Sequence, residues 1–259
     1  MAANLEFREK LKTLVPYGCV VTRSWLLKKG VGSHTIDNLV KSKQLLPVSS
    51  GVYQRVEIKL DWKNVVASLQ NMGHSFRVGG LTAIEEHGFG HYVPMGEKQK
   101  VHLYGTEKLP GWVNRLLPEV TFVGHNFSKL FDLQEHMPVT IFASTRPCES
   151  YNAEYPEFAV LEILEQVPNK ISFDYADHLM EGLTTLSPKR LKLALENCRS
   201  VKIKRLFFWF AERHQHPWQK KLSVEGLDLG SGKRVLAKGG KLDKKYLITV
   251  PEDMYESAE

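Results

Sequence analysis

The stretch Tyr17 to Arg55, YGCVVTRSWLLKKGVGSHTIDNLVKSKQLLPVSSGVYQR, constrains the fold more than any other part of the chain. Thr22 is a good N-cap, and Trp25, Leu26 and Lys29 follow it at helical spacing. Lys28 and Lys29 fall in the last turn, where positive charge suits the helix dipole. Gly30 supplies the left-handed residue that ends a helix, and Val31-Gly32 make a tight turn. Ser33 is placed to cap a second helix running to about Lys43. Ile36, Leu39, Val40 and Lys43 share one face of it, and His34, Thr35, Asn38, Lys41 and Ser42 share the other. Leu45–Val48 and Val52–Arg55 flank Ser49-Ser50-Gly51, the composition of a hairpin turn. Helix, turn, helix and hairpin in that order predict a winged helix-turn-helix, whose second helix enters the DNA major groove. The polar face carries side chains of the kind that reach base edges and phosphates. A solvated helix surface would show the same composition, so the wing and the local charge have to separate the two.

That charge is uneven. Residues 1–60 carry 10 Lys and Arg against 4 Asp and Glu, 61–186 carry 9 against 16, 187–246 carry 16 against 5, and the tail from 247 carries none against 4. Two basic blocks flank an acidic one, an arrangement that predicts two polyanion-facing surfaces. At 259 residues the chain is long enough for two domains. No apolar run reaches the roughly 20 residues of a membrane span, and the N-terminus lacks a signal-peptide pattern. Cys19, Cys148 and Cys198 are far apart and odd in number, which argues against a disulfide scaffold or a zinc finger and for a reducing cytoplasm. No membrane partner is expected.

Upstream, Leu5 to Val15 reads as a helix stopped by Pro16. Downstream, Asp61 caps a connecting helix with Trp62, Val65, Val66 and Leu69 on one stripe and Gly73 at its end. The expected first domain is therefore 1–73. The rest, 74–259, divides by texture. Residues 74–150 hold short strands at 76–78, 101–104, 120–123 and 139–143 and a helix from Leu81 to His87. Glu149 to Pro156 reads as a loop. Residues 156–216 are helical, with starts at Pro156, Asp174 and Ser187-Pro188, and a helix from Val201 to His214 that is apolar nearly all round and so central. Residues 220–250 return to strands at 222–224, 235–237 and 246–250, and the acidic tail is expected to be disordered. The fold class is α+β.

Catalytic and cofactor signatures fail in turn. Asp228-Leu229-Gly230-Ser231-Gly232 imitates a methyltransferase glycine loop, but only 27 residues follow, too few for the βα units such a loop opens. Arg234 stands where a phosphate loop needs Ser or Thr after Lys233. His87 with His91, and His214 with His216, lack acidic or cysteine partners at ligand spacing, so no metal is expected. No nucleophile elbow or paired-carboxylate site occurs. The reading is a non-enzyme with no cofactor. A second set of cations, Lys189, Arg190, Lys192, Arg199, Lys202, Lys204, Arg205 and Arg213, lies on two helices among aromatics, joined by Lys233 and Arg234. Such interleaving marks either a polyanion surface or a solvated rim around an aromatic core.

The chain resembles the AbiEi-like antitoxins of type IV toxin–antitoxin systems, the abortive-infection family. The resemblance is carried by Val15-Pro16-Tyr17-Gly18, Gly79-Gly80-Leu81-Thr82-Ala83, Leu183 to Pro188, Lys204-Arg205-Leu206-Phe207, Asp228 to Arg234 and Lys245-Tyr246. It implies an N-terminal winged helix that binds inverted repeats in its own promoter, as monomer or dimer, and represses the operon. It also implies a C-terminal domain that counteracts a nucleotidyltransferase-like toxin without a stable complex. Carried onto this sequence, the DNA reader is Ser33, His34, Thr35, Asn38, Lys41 and Ser42, backed by Arg23, Lys28, Lys29, Lys43 and Arg55. The basic C-terminal set is the surface expected to compete for the toxin's RNA or nucleotide target. Two rivals stay open: a winged-helix regulator that senses a small ligand, and a DNA-targeted enzyme such as a nuclease.

Overall fold

The computed structural model describes residues 10–55, 58–90, 98–132, 138–146 and 148–256. Residues 10–14 are helical and bury Leu11, with Val15 just beyond. The remainder of the expected first helix, including Leu5, lies outside the described residues. Strand β1 (Val20–Thr22) follows, a β-branched triplet that the sequence reading passed over. Thr22 ends it and caps α1 (Arg23–Lys28), accepting a hydrogen bond from the Trp25 amide at 3.2 Å. Gly30 takes φ 83° and closes that helix.

Helix α2 (Ser33–Lys41) begins one residue earlier than expected. Gly32 occupies the cap, and the Ser33 hydroxyl is instead engaged by Arg23 Nη2 at 2.6 Å. The helix also stops at Lys41, with Ser42 as C-cap. Lys43 turns to φ 56° and points to solvent, so it does not belong to the apolar face. The wing is β2 (Leu46–Ser49) and β3 (Val52–Gln54), hinged at Gly51 with φ 69°. The sheet order is β1-β3-β2, all antiparallel, with Val20 and Leu46 both opposite Gln54. One apolar cluster of Leu11, Val15, Val21, Leu26, Val31, Ile36, Leu39, Leu45 and Tyr53 holds the helices on the sheet. Each fully buried Leu or Ile among them contributes about 1.5–3 kcal/mol.

Helix α3 (Trp62–Asn71) opens on a complete capping box. Asp61 Oδ1 accepts from the Lys63 and Asn64 amides at 2.7 and 3.2 Å, while Asn64 Oδ1 accepts from the Asp61 amide at 2.9 Å. It buries Trp62, Val65, Val66 and Leu69 as the stripe predicts, and also Asn64 and Ser68. A five-stranded sheet follows from β4 (Arg77–Val78), β5 (Gln99–Gly105), β6 (Val120–Asn126), β7 (Val139–Phe142) and β8 (Tyr151–Glu154), ordered β6-β5-β4-β8-β7. The segment expected to be a loop before Pro156 is β8, paired parallel to β4 through Val78 and Ala153. Tyr151, Ala153 and Glu154 are all buried, so the strand lacks the polar alternation that would reveal it.

The backbone clusters into two compact units. One holds Met1–Val78, Met95–Asn126 and Val139–Ala153, so the strands that composition groups with the C-terminal half cluster with the winged module. The other holds Gly79–Pro94, Phe127–Pro138 and Glu154–Glu259. In this second unit α4 (Gly80–Glu86) packs on α5 (Pro156–Gln166), which in turn packs on α7 (Pro188–Asn197) and α8 (Val201–His214), while α6 (Phe173–Gly182) lies on α8. Ser172, not Asp174, caps α6, because its hydroxyl reaches the Tyr175 amide at 3.1 Å. Ser187 caps α7, with Pro188 in the first turn. Ile203 to Ala211 on α8 are buried without a break, as expected of a central helix.

The C-terminal strands differ from expectation. Residues 222–224 and 235–237 form no strand. The hairpin is β9 (Lys241–Asp243) with β10 (Ile248–Val250), and Arg234 makes only an isolated bridge to Ile248. Within the acidic tail, Glu252–Glu256 form α9, which buries Met254, and residues 257–259 lie outside the described residues. The cysteine reading is corrected in one respect: Cys19 and Cys148 are bonded, with Cα atoms 5.3 Å apart. Spacing along the chain carried no sign of this, since 129 residues separate them. None of the described helices is long and apolar enough to cross a membrane.

Candidate nucleic-acid interface

The burial of Ile36 and Leu39 fixes the rotation of α2, and this determines what its other face offers. Ser33, His34, Asn38, Lys41 and Ser42 are exposed and Thr35 is partly exposed. The helix therefore presents a cation, an amide, an imidazole and hydroxyls outward, a set able to donate to phosphates and to pair with base edges. Lys28 and Lys29 are exposed at the end of α1, where Lys29 lies 5.4 Å from the Trp25 ring centre. Lys43 is exposed just past α2.

The two arginines of the set have other engagements. Arg23 Nη1 donates to Asp37 Oδ1 at 2.8 Å, and its Nη2 to Ser33 Oγ, so it ties α1 to α2. The hydrogen bond from Arg23 holds the Asp37 carboxyl below the usual carboxylate range despite its desolvation. Asp37 is a member of this face that sequence reading missed, because its partner lies 14 residues away. Arg55 donates from Nε to the Val15 carbonyl at 3.0 Å and lies over the Tyr17 ring, so it anchors the wing to the segment before β1.

The second basic set is less of a surface than its charge implies. Arg205 is 2% exposed. Its Nε donates to the Leu229 carbonyl at 2.7 Å, Nη1 to those of Gly232 and Leu247 at 2.7 and 3.3 Å, and Nη2 to that of Gly230 at 3.1 Å. The Asp228–Arg234 segment is thus a carbonyl cage around one guanidinium, and Gly230 and Gly232 take φ 62° and 73° within it. Lys204 is buried as well. Arg190 pairs with the buried Glu157 at 3.0 Å and stacks over Tyr155. Arg213 binds Asp177 and the Met254 carbonyl, Lys202 binds Glu165, and Arg199 pairs with Asp132. Lys189, Lys192, Lys233 and Arg234 are exposed, and Lys192 makes one pair with Glu196 on its own helix. Counting charges could not separate these groups, since the partners of Arg205 lie 24 to 42 residues downstream.

Histidines weighed as metal ligands have hydrogen-bond partners. His87 Nε2 meets the Glu154 carbonyl, His214 Nε2 meets Asp177 Oδ1, and His216 Nε2 meets the Met180 carbonyl. His91 lies outside the described residues. Among the described residues no group of three or more His, Cys, Asp or Glu converges as a metal site would.

Two family profiles match the chain. "Transcriptional regulator, AbiEi antitoxin N-terminal domain" matches residues 6–95, and "Transcriptional regulator, AbiEi antitoxin, Type IV TA system" matches residues 98–251. No curated protein matches in sequence. Among solved structures, the crystal structure of the RV2827C protein from Mycobacterium tuberculosis is similar over 89% of this chain and 85% of that one, at 14% identity and a TM-score of 0.49.

Proposed function

Because the chain belongs to the AbiEi antitoxin family of transcriptional regulators of type IV toxin–antitoxin systems, we propose that it represses its own operon by laying α2 in the major groove of promoter DNA. The observation that carries this reading is the orientation of α2. Ile36 and Leu39 lock one face into the core, leaving Ser33, His34, Asn38 and Lys41 exposed on the other. Asn38 has the chemistry for a bidentate contact to adenine, and Lys41 for guanine or phosphate. Lys28, Lys29 and Lys43 supply phosphate contacts that set register. Arg23 acts by holding the two helices together, and Arg55 by holding the wing.

Two copies on an inverted repeat would require half-sites about one helical turn, or a multiple of it, apart. The second unit counteracts a nucleotidyltransferase-like toxin in this reading, through its exposed cations and without a stable complex.

The test is binding of the purified chain to its own promoter and to scrambled DNA at two salt concentrations, repeated with Asn38→Ala plus Lys41→Ala. Specific binding that is lost in the double variant is expected, with affinity falling by about one log–log slope unit per phosphate contact as salt rises. Equal, weak, salt-sensitive binding to both DNAs would sink the repressor reading.

A further inference from the structure

The cysteine pair has surroundings unlike those of a structural staple. Asn64, Ser68 and Asn71 share one face of α3, at spacings of four and three, and turn polar groups toward it. Asn71 Nδ2 lies 3.2 Å from Cys19 Sγ and 3.8 Å from Cys148 Sγ. Ser68 Oγ donates its proton to the Asn64 carbonyl at 2.6 Å and accepts the Val20 amide at 2.9 Å, so at 3.7 Å from Cys148 Sγ it serves as a polar neighbour and not as a donor. Asn64 Nδ2 donates to the Cys148 carbonyl at 3.1 Å. Disulfide sulfur is a weak acceptor that gains little from the Asn71 amide, whereas a thiolate at either cysteine is stabilised by it. Accessibility is asymmetric too. Cys19 is 1% exposed, while Cys148 is partly exposed in a turn, at φ 57°.

We propose that Cys19 and Cys148 form a reversible thiol–disulfide site, closed by a hydroperoxide and opened by a dithiol reductant, that adjusts the rigidity of the winged module. The Cys148 thiolate attacks the peroxide oxygen, the O–O bond breaks, and a sulfenic acid forms as hydroxide or alkoxide leaves and takes a proton from solvent to become water or alcohol. The Cys19 thiolate then attacks that sulfur. The S–S bond forms as the S–O bond breaks, and the departing hydroxide takes a proton to become water. In the reverse direction a dithiol attacks the accessible Cys148 sulfur, Cys19 leaves as thiolate, and the dithiol ends as its own disulfide.

The mechanical consequence follows from sequence neighbours. Cys19 precedes Val20, the first residue of β1, and β1 ends in Thr22, the cap of α1. Closing the bond pins that strand to the segment that leads into β8. The inference rests on the promoter-binding role in one respect: a protein that works on DNA sits where cellular reductants keep thiols open, so a closed pair there records an oxidising event.

The test needs no DNA, so it stands or falls apart from the repressor reading. The full chain is treated with dithiothreitol or hydrogen peroxide and then alkylated, and the modified cysteines are located by mass spectrometry. Amide hydrogen exchange is followed in both states. Cys148 is expected to be alkylated only in the reduced protein, with dithiothreitol restoring its reactivity after peroxide, and the Cys19–Cys148 disulfide peptide is expected only after peroxide. Amides of 19–22 and 52–54 should exchange several-fold more slowly in the oxidised form, and Cys148→Ser should exchange like the reduced form under both treatments. Cys198, buried with its thiol pushed up by that burial, serves as the unreactive control. A pair that peroxide does not close, that dithiothreitol does not open in the folded protein, or whose state leaves exchange unchanged overturns the proposal.

Discussion

Replacing Arg205 with Met tests whether the second unit is held by its carbonyl cage. Met keeps most of the side-chain volume and removes the guanidinium, which donates to four backbone carbonyls. At about 1–1.5 kcal/mol of net stability per bond, the low end for a charged donor, the loss is about 4–6 kcal/mol before the site relaxes. Gly230 and Gly232 are exposed, so water reaches their carbonyls once the side chain is gone, and about 2–3 kcal/mol remains. For a chain of this length each kcal/mol is worth about 2–4 °C, so the melting temperature should fall by about 5–10 °C. The assay is a thermal melt of the full chain, paired with hydrogen exchange over 228–234 and promoter binding. Exchange in that segment should accelerate while promoter affinity holds, because the winged module belongs to the other compact unit. A variant as stable as the parent, with unchanged exchange in 228–234, would refute the cage and return Arg205 to the surface set.

Two further outcomes follow from packing and from charge. Leu26 is fully buried in the cluster beneath α1 and α2, so Leu26→Ala should cost about 2–5 kcal/mol, read by urea denaturation of the full chain; a loss under about 1 kcal/mol would mean that this cluster does not hold the helix pair. Burial would raise the Asp177 carboxyl, but hydrogen bonds from His214 and Arg213 outweigh it and hold the group below its ordinary value. A carboxyl lowered on folding stabilises above its unfolded value of about 4, and that contribution disappears as pH falls through the folded value. Asp177→Asn should therefore lower the melting temperature at neutral pH and flatten its decline below about pH 4; parallel acid limbs in the two proteins would contradict the assignment.

What could be read in the sequence was local. Thr22, Gly30, Gly51, Asp61 and Ser187-Pro188 each act within a few residues of themselves, and each does what its chemistry predicts. The outward face of α2 was legible for the same reason, because a 3.6-residue period assigns both faces at once. What escaped depends on partners far along the chain. β8 is a strand because Val78, on the buried strand β4, offers it an edge. Ser33 lost its cap role to an arginine ten residues upstream. The cysteine pair and the Arg205 cage join segments with no mutual pattern in sequence, so neither composition nor spacing could disclose them.

The same distinction decides how the basic surface of the second unit must be tested. A charge swap that includes Arg190, Lys204 or Arg205 would measure folding: Arg190 neutralises the buried Glu157, Arg205 fills its cage, and a carboxylate at buried Lys204 would be costly. Lys189, Lys192, Lys233 and Arg234 carry the question instead, since they are exposed and Lys192 has only a pair within its own helix, worth a few tenths of a kcal/mol. The backbone of Gly230 lies against Val201, two residues past Arg199, which brings the loop bearing Lys233 and Arg234 to the start of α8. Changing these four to Glu should leave the melting temperature within a few degrees of the parent, as surface changes shift stability by about 0.5 kcal/mol or less each. Promoter binding, if α2 carries it, should also persist, because the winged module belongs to the other unit. If exposed charge is what opposes the toxin, growth rescue on co-expression should be lost in this variant while repression continues. Full rescue by a folded, charge-reversed protein would show that the antitoxin activity resides elsewhere in the second unit, and that the basic block from 187 to 246 owes its charge mainly to internal pairing.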